Sequence, residues 1–459
     1  MSVVRLWVAL ALAKATYRGL RLLGRNASNL PGWLALHVCP DFLELIAKPE
    51  LVVCVTGTNG KTTVTNMIAD VLVGQGYSVS TNRLGSNIAP GIASSLTNAV
   101  SWSGKPNKDA CVLEVDERAS RLILPYVRPT YLVVTNLFRD SLKRNAHPDY
   151  IFDVLDTYTP DDTRLVLNGD DLCSSRLGER AGNPRVFFGI ESMAGDRTDS
   201  INLVSDYSTC PRCHTGLAYD HLRYHHIGRA HCPACGFASQ DCDYVVERVE
   251  SDATSFTVAH DGATHTYPLV STVTFNIYNQ LAVIATLTEI GLDPARVEAG
   301  LSILAVVDSR LGRTQVGDVT VVQAMSKGQS CVSTSRTLDF VTHEPGRKVV
   351  VLAMDDWYDR KTSVEYIGWI YDADFEFLAD PDVVQVIACG PRCYDYEVRL
   401  LLAGVPHERI QCCESEADAH TRILTAGMDS VYILYDTSTY DVAMSMKARI
   451  LSTLEGAAR

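Results

Sequence analysis

The N-terminus lacks an apolar run long enough to cross a bilayer. Within MSVVRLWVALALAKATYRGLRLLGR the uninterrupted stretch is only Leu6 to Ala13, against the roughly 20 residues a spanning helix needs. Lys14, Arg18 and Arg21 then recur at helical spacing, and no cleavage site of a secretory signal is evident. The segment reads as an amphipathic helix packed on the first domain, with a surface anchor as the alternative. Basic charge is short as well. Lys and Arg number 41 against 54 Asp and Glu, a formal net charge of −13. That excludes a non-specific grip on nucleic acid or on acidic membrane through global charge, although a lipid-linked substrate held in a local groove stays allowed. Internal repeats, low-complexity stretches and long linkers are absent. The 14 cysteines lack the spread of a secreted disulfide framework. Cys54, Cys111 and Cys389 stand in apolar runs, where a free thiol behaves as a small hydrophobe. A reducing compartment, the cytoplasm, follows. No Ser-His-Asp or Cys-His arrangement of a glutaminase is visible.

What remains is an ordinary globular composition, 46% hydrophobic and 21% charged over 459 residues, enough for two or three domains. The apolar segment 51–56 ends in a glycine loop, a helical pattern follows, and then a second strand-like segment, which together make a βαβ unit. DACVLEVDE (109–117), PTYLVVTNLF (129–138) and RLVLNGDD (164–171) are further short strands ending in polar residues. Such strands suit a parallel sheet with its ligand at the carboxyl ends. The expected architecture is α/β, with a first domain over 1–310 that carries an insertion at about 204–240. A second α/β domain is expected over 311–459.

The stretch VTGTNGKTTVTNMIAD carries the chemistry. Glycines in a phosphate loop let backbone N–H groups turn inward around phosphate oxygens. A lysine offsets the charge of the β- and γ-phosphates, and the hydroxyl after it reaches Mg²⁺. Gly57, Thr58, Asn59, Gly60, Lys61, Thr62 and Thr63 fill these places, with a shorter spacing between the glycines than the usual G-x-x-x-x-G-K-[ST]. The bland alternative is a simple strand-to-helix turn.

Cys210-Pro-Arg-Cys213 and Cys232-Pro-Ala-Cys235 form two knuckles, the pattern of a Cys₄ zinc ribbon. A closed four-thiolate site leaves no position for substrate, so its role is structural. The competing reading, thioredoxin-like redox chemistry, has no thioredoxin setting around it. His214, His225, His226 and His231 nearby read as solvated loop residues.

The form TGTNGKTT resembles the loop of the Mur ligase superfamily, which includes the peptidoglycan ligases, folylpolyglutamate synthase and cyanophycin synthetase. The resemblance implies that ATP phosphorylates a carboxylate and that an amine attacks the acyl phosphate. It also places Glu114 of LEVDE as a Mg²⁺ ligand, Asn276 and Asn279 of TFNIYNQLAVIA at the adenine, and Arg313 of LGRTQ near the phosphates. A zinc ribbon inside such a domain is similar to the MurT family. So are NLPG, TNRLGSNIAPGIASSL (81–96), the long stretch 114–144, LNGDD and GWIYDADFE (368–376). That family implies amidation of the α-carboxylate of D-glutamate in lipid II, with ammonia from a GatD-type glutaminase partner. The membrane would be met only through the lipid-linked substrate, at its inner face. An aspartate of the second domain would complete the partner's triad, with Asp355, Asp356 and Asp359 as candidates. The chain departs from the family pattern at SKGQSCVST, which keeps only Lys327, at Gln315, and around MDDWYDRKTSVEYIGW. A stand-alone ligase and a non-catalytic nucleotide-binding subunit are the alternatives.

Overall fold

The computed structural model describes residues 2–83, 86–140, 147–250, 254–270, 274–304, 311–326, 329–354, 367–436 and 438–457. The chain divides into two compact units. The first comprises Met1–Leu137, Pro148–Asp199 and Tyr207–Val306; the second comprises Phe138–His147, Ser200–Asp206 and Val307–Arg459.

Three helices open the first unit: α1 (Ser2–Leu22), α2 (Leu30–Val38) and α3 (Phe42–Leu45). Strand β1 (Leu51–Thr56) runs into α4 (Lys61–Gly74), then β2 (Val79–Thr81), α5 (Ala89–Asn98) and β3 (Ala110–Glu114). There follow α6 (Leu124–Val127), β4 (Tyr131–Val134), α7 (Pro148–Tyr158), β5 (Arg164–Asn168) and β6 (Arg185–Ile190). A hairpin of β7 (Ala218–Tyr224) and β8 (Ile227–His231) stands apart as a two-stranded sheet. The meander β9 (Tyr244–Val249), β10 (Ser255–His260) and β11 (Ala263–Pro268) leads to α8 (Thr274–Ile290) and α9 (Pro294–Ile303).

Among the described residues these strands make a nine-stranded sheet in the order β11-β10-β9-β6-β5-β4-β1-β3-β2. It is parallel from β2 to β9 and antiparallel in the closing meander. β1 is buried from Val52 to Thr56, as a strand covered on both faces must be, and its sequence is accordingly a continuous apolar run. The chain places β3 on one side of β1 and β4 on the other, so the loop after β1 lies at the switch point where such sheets bind ligands. Cys54 and Cys111 pack in this core with no exposure, and burial pushes the Cys111 thiol up to about 12.

Helix α1 departs from the expected amphipathic pattern. Ala9, Leu10 and Ala13 are buried in the core of the first unit, yet Val4, Val8, Leu12 and Leu22 on the other side are exposed. Lys14 is not a solvated charge. Its ammonium donates to the carbonyls of Thr97 (2.8 Å) and Val100 (2.6 Å), at the C-terminus of α5, where a cation suits the helix dipole.

The second unit begins with the antiparallel pair β12 (Leu311–Val316) and β13 (Val319–Met325). Then come α10 (Cys331–His343), β14 (Lys348–Ala353), β15 (Val383–Cys389), α11 (Cys393–Leu402), β16 (Ile410–Cys413), β17 (Ser430–Tyr435) and α12 (Tyr440–Ala457). The sheet order is β12-β13-β17-β14-β15-β16, parallel from β13 onward. β14 and β17 are buried at every position, as the centre of a covered sheet requires.

The NLPG segment owes its glycine to packing. A Cβ at Gly32 would lie 1.9 Å from the Pro90 carbonyl oxygen and 2.6 Å from the Ser94 amide. The Gly32 N–H also donates to Ser94 Oγ at 2.8 Å, which seats α2 on α5. We therefore expect Gly32→Ala to destabilise the protein by about 1–3 kcal/mol through overpacking. Gly19, in α1 with open space around its Cβ position, should gain about 0.5–1 kcal/mol as alanine. Urea midpoints of the two variants check both signs.

Candidate functional site

The loop after β1 is clamped from behind. Gly57 and Gly60 adopt φ of 127° and 88°, and both are crowded. A Cβ at Gly57 would stand 2.3 Å from Thr135 Oγ1, and one at Gly60 would stand 2.1 Å from Asn279 Oδ1. The Thr58 N–H donates to the Asn136 carbonyl (2.8 Å) and the Asn59 N–H to Asn136 Oδ1 (3.1 Å). The Asn59 carbonyl accepts from Thr135 Oγ1 (2.6 Å) and Asn136 Nδ2 (3.1 Å). The first hydrogen bond of α4 runs from Val64 N to Gly60 O. The amides ahead of Val64 thus have no acceptor within the helix, which is the arrangement that receives phosphate oxygens.

Two side chains of α4 reach β3 and the loop after it. Thr62 Oγ1 donates to Glu114 Oε2 at 2.8 Å. Glu114 Oε1 accepts from Asn87 Nδ2 at 3.0 Å, and Asn82 brackets the Glu114 backbone through both its N–H and its C=O. A hydroxyl and a carboxylate fixed side by side are hard oxygen donors of the kind Mg²⁺ takes. Lys61 Nζ donates to the Gly57 carbonyl (2.6 Å) and to Glu117 Oε1 (2.7 Å). Glu117 is 1% exposed, and its Oε2 has no hydrogen-bond partner among the described residues. Asn279 donates to Asn276 Oδ1 at 3.4 Å, and its own Oδ1 is the atom that faces Gly60 of the loop.

The cysteines converge as their spacing predicts. The sulfurs of Cys210, Cys213, Cys232 and Cys235 all lie within 4.8 Å of one another, with Cys210–Cys235 at 3.6 Å and Cys213–Cys232 at 3.4 Å. A tetrahedral Zn²⁺ with Zn–S bonds near 2.3 Å separates its sulfurs by about 3.8 Å, so the cluster is close to the size of a four-thiolate metal site. After each second cysteine the chain turns left-handed, at His214 (φ 61°) and Gly236 (φ 71°), which closes the knuckle. The four thiols share their charge unequally: hydrogen bonds from Thr215 and Cys232 pull Cys213 down to about 6, while its neighbours push Cys235 up to about 12.

The Mur ligase middle domain matches residues 55–229, and the MurT ligase C-terminal domain matches residues 329–441. The subunit MurT of lipid II isoglutaminyl synthase (glutamine-hydrolyzing) from Staphylococcus aureus (strain COL) is 31% identical, over 88% of this chain and 89% of that one. The subunit of the same name from Streptococcus pneumoniae (strain ATCC BAA-255 / R6) is 30% identical, over 88% of each. The chain belongs to the MurT family. It is a ligase of the Mur type, in a family of peptidoglycan synthesis. Among solved structures, a pseudomurein peptide ligase type C from Methanothermus fervidus superposes with a TM-score of 0.67 at 19% identity, over 90% of this chain and 81% of that one. MurF ligase from Thermotoga maritima in complex with ADP gives 0.55 at 15%, over 94% and 84%. These two show the shared fold.

Within this MurT-family chain, the structure gathers Gly57, Thr58, Asn59, Gly60, Lys61, Thr62, Glu114 and Asn279 around one loop; Thr63 continues α4. Arg313 lies on β12 of the second unit, where its guanidinium pairs with Glu344 at 3.0 Å. Asp355, Asp356, Asp359 and Lys327 fall outside the described residues. The reading of the neighbouring histidines needs correction in part. His225 and His226 are buried, at 1% and 0% exposure, and His226 Nε2 lies 3.1 Å from Asp171 Oδ1. They occupy the turn of the β7–β8 hairpin, which packs inward. The same hairpin is joined to α8 through Arg223, whose guanidinium donates to Tyr278 Oη (3.2 Å), while Tyr278 donates to Asp170 Oδ2 (2.6 Å).

Glu117 escaped sequence reasoning, although it stands three residues after Glu114 in LEVDE. Asn82, Asn87, Thr135 and Asn136 escaped too, because amides and hydroxyls at strand ends carry no distinguishing pattern. Glu117 changes one expectation. From the sequence, loss of Lys61 leaves no core cavity and should be benign for folding. In the structure it removes the partner of a buried carboxylate. We expect Lys61→Ala to lower stability by about 3 kcal/mol, the lower end for breaking a buried pair from one side. Lys61→Met with Glu117→Gln should recover much of that loss in the same urea titration.

Proposed function

We propose that this protein amidates the α-carboxylate of D-glutamate in lipid II to D-isoglutamine, using ATP, with ammonia supplied by a GatD-type glutaminase subunit. The observation that carries the reading is the Lys61, Thr62 and Glu114 constellation in a chain 31% identical to the S. aureus subunit across nearly its whole length. The word subunit in the relatives' name, and the absence of a glutaminase arrangement from this sequence, support a separate ammonia source.

A carboxylate does not react with ammonia at neutral pH, because oxide is a poor leaving group. In the proposed reaction a carboxylate oxygen attacks the γ-phosphorus and ADP departs. Ammonia then adds to the acyl carbon and inorganic phosphate leaves, with the surplus proton passing to solvent. Backbone amides at the start of α4 would hold the phosphates, and Lys61 would exchange Glu117 for the developing charge. Mg²⁺, held by Thr62 and Glu114, would neutralise the transferring phosphoryl group. Asn276 and Asn279 would face the adenine, and Arg313 is the candidate for a further phosphate contact. One of Asp355, Asp356 and Asp359 would orient the partner's catalytic histidine, as a carboxylate does in other triads.

Two outcomes are expected. Co-expressed with a GatD-type amidotransferase, the chain should elute as a heterodimer and convert lipid II to its amide with ATP and glutamine, read by mass spectrometry of the stem peptide. Separate elution, with amidation driven equally well by another amine, would move a stand-alone ligase to first place. Elemental analysis should also find one zinc per chain, bound by Cys210, Cys213, Cys232 and Cys235. Its removal by a chelator should loosen the hairpin, seen as new proteolytic cleavage between 204 and 240. Metal-free protein with an intact, protease-resistant insertion would refute the zinc assignment.

A further inference from the structure

The global charge of the chain conceals a local exception. Residues 1–40 carry Arg5, Lys14, Arg18, Arg21 and Arg25 and no acid before Asp41, in a protein of net charge −13. Within this segment α1 is apolar on two opposite faces. The inner face fills the core through Ala9, Leu10 and Ala13. The outer face presents Val4, Val8, Leu12 and Leu22, exposed by 68%, 53%, 38% and 88%. Their i, i+4 and i, i+18 spacing puts them on one side of the helix. Trp7 (45% exposed) lies along one margin, its ring edge 2.8 Å from the position a Cβ on Gly104 would take. Trp102 (48% exposed) carries the Arg18 guanidinium over its ring at 4.9 Å. Lys14 is turned inward to α5, while Arg5, Arg18, Arg21 and Arg25 remain exposed.

We infer that the outer face of α1 docks on the anionic headgroup region of a phospholipid bilayer, with the helix lying in the plane of the interface. An apolar stripe between basic residues, with tryptophans at its margin, matches acyl boundary, anionic headgroups and interfacial zone in turn. No described helix is long and apolar enough to cross a membrane, so α1 is placed along the interface. Charge also selects against a second copy of this chain as the occupant. Self-pairing through this face would set one cationic, acid-free segment against its own like charge, whereas an anionic surface complements it. The inference rests on the helix alone and holds whatever substrate the nucleotide site serves.

The test is flotation of the full-length chain with unilamellar vesicles of phosphatidylcholine, with and without phosphatidylglycerol. The chain should float with the anionic vesicles, at least tenfold less with the neutral ones, and progressively less as salt rises. Val8→Glu with Leu12→Glu should abolish flotation while nucleotide binding and the thermal transition stay unchanged. Should that pair unfold, Val4→Glu with Leu22→Glu reads the same face. Arg21→Glu with Arg25→Glu should weaken partition by at least about fivefold per residue, from about 1 kcal/mol for each basic group near an anionic surface. A chain that stays in the lower fraction with anionic vesicles overturns the inference, as does wild-type flotation of the folded glutamate variants. A dimer in light scattering that the Val8 and Leu12 substitutions dissociate, without vesicle binding, overturns it in favour of a second copy.

Discussion

A phosphate loop must be rigid from behind and open in front, and most of the first unit serves that constraint. The residues between β1 and α4 exchange their rearward hydrogen bonds with Thr135 and Asn136, just beyond β4: the Asn59 N–H donates to Asn136, and the Asn59 carbonyl accepts from both. Asn279 of α8 presses on Gly60 so closely that a methyl group there has no room. β3 sets Glu114 beside Thr62, and the turn after it sets Glu117 beside Lys61. Each contact depends on β1 being flanked by β3 and β4, so the strand order is itself part of the site. A one-residue slip of β3 against β1 would turn Glu114 to the opposite face of the sheet.

The buried pair of Lys61 and Glu117 adds a second constraint. A carboxylate so thoroughly removed from water is tolerable because an ammonium sits 2.7 Å away. Any ligand that draws the lysine forward has to leave that carboxylate compensated by something else. In the proposed nucleotide site, affinity and local stability would therefore be set by the same two side chains. On the other flank of α8, the cysteine hairpin reaches Tyr278 through Arg223. Burial and the Asp170 carboxylate hold the Tyr278 phenol well above its ordinary range, so it remains a hydrogen-bond donor under all physiological conditions. Tyr278 adjoins Asn279, which ties the hairpin to the helix that walls the loop.

Much of this was legible in the sequence because it rests on short-range rules. The strand-loop-helix signal at 51–74, the two cysteine knuckles and the alternation of strands and helices in the second unit all express local spacing. The asparagines of α8 were found through resemblance to a family, not through periodicity. What escaped reading has a common physical cause. Glu117, Asn82, Asn87 and Asn136 are chosen by what they meet across the sheet, and one sequence does not record such meetings. The role of Lys14 was hidden for a related reason. In the sequence it is one of three basic residues at helical spacing, and only the fold brings the carbonyls of Thr97 and Val100 within its reach. His225 and His226 seemed to belong to a wet loop, but that loop is a tight turn folded onto Asp171.

The attachment of α1 has a practical side. N-terminal helices with exposed valines and tryptophans invite removal when a protein is to be made soluble for expression. Here trimming α1 would strip Ala9, Leu10 and Ala13 from the core and leave the carbonyls of Thr97 and Val100 without the ammonium that serves them. It would also bare the side of α2 that α1 covers. A shortened protein would trade one sticky surface for a larger one, and its loss of activity would say nothing about membranes. Solubility is better sought by recoding the outer face of the helix and leaving its inner face alone.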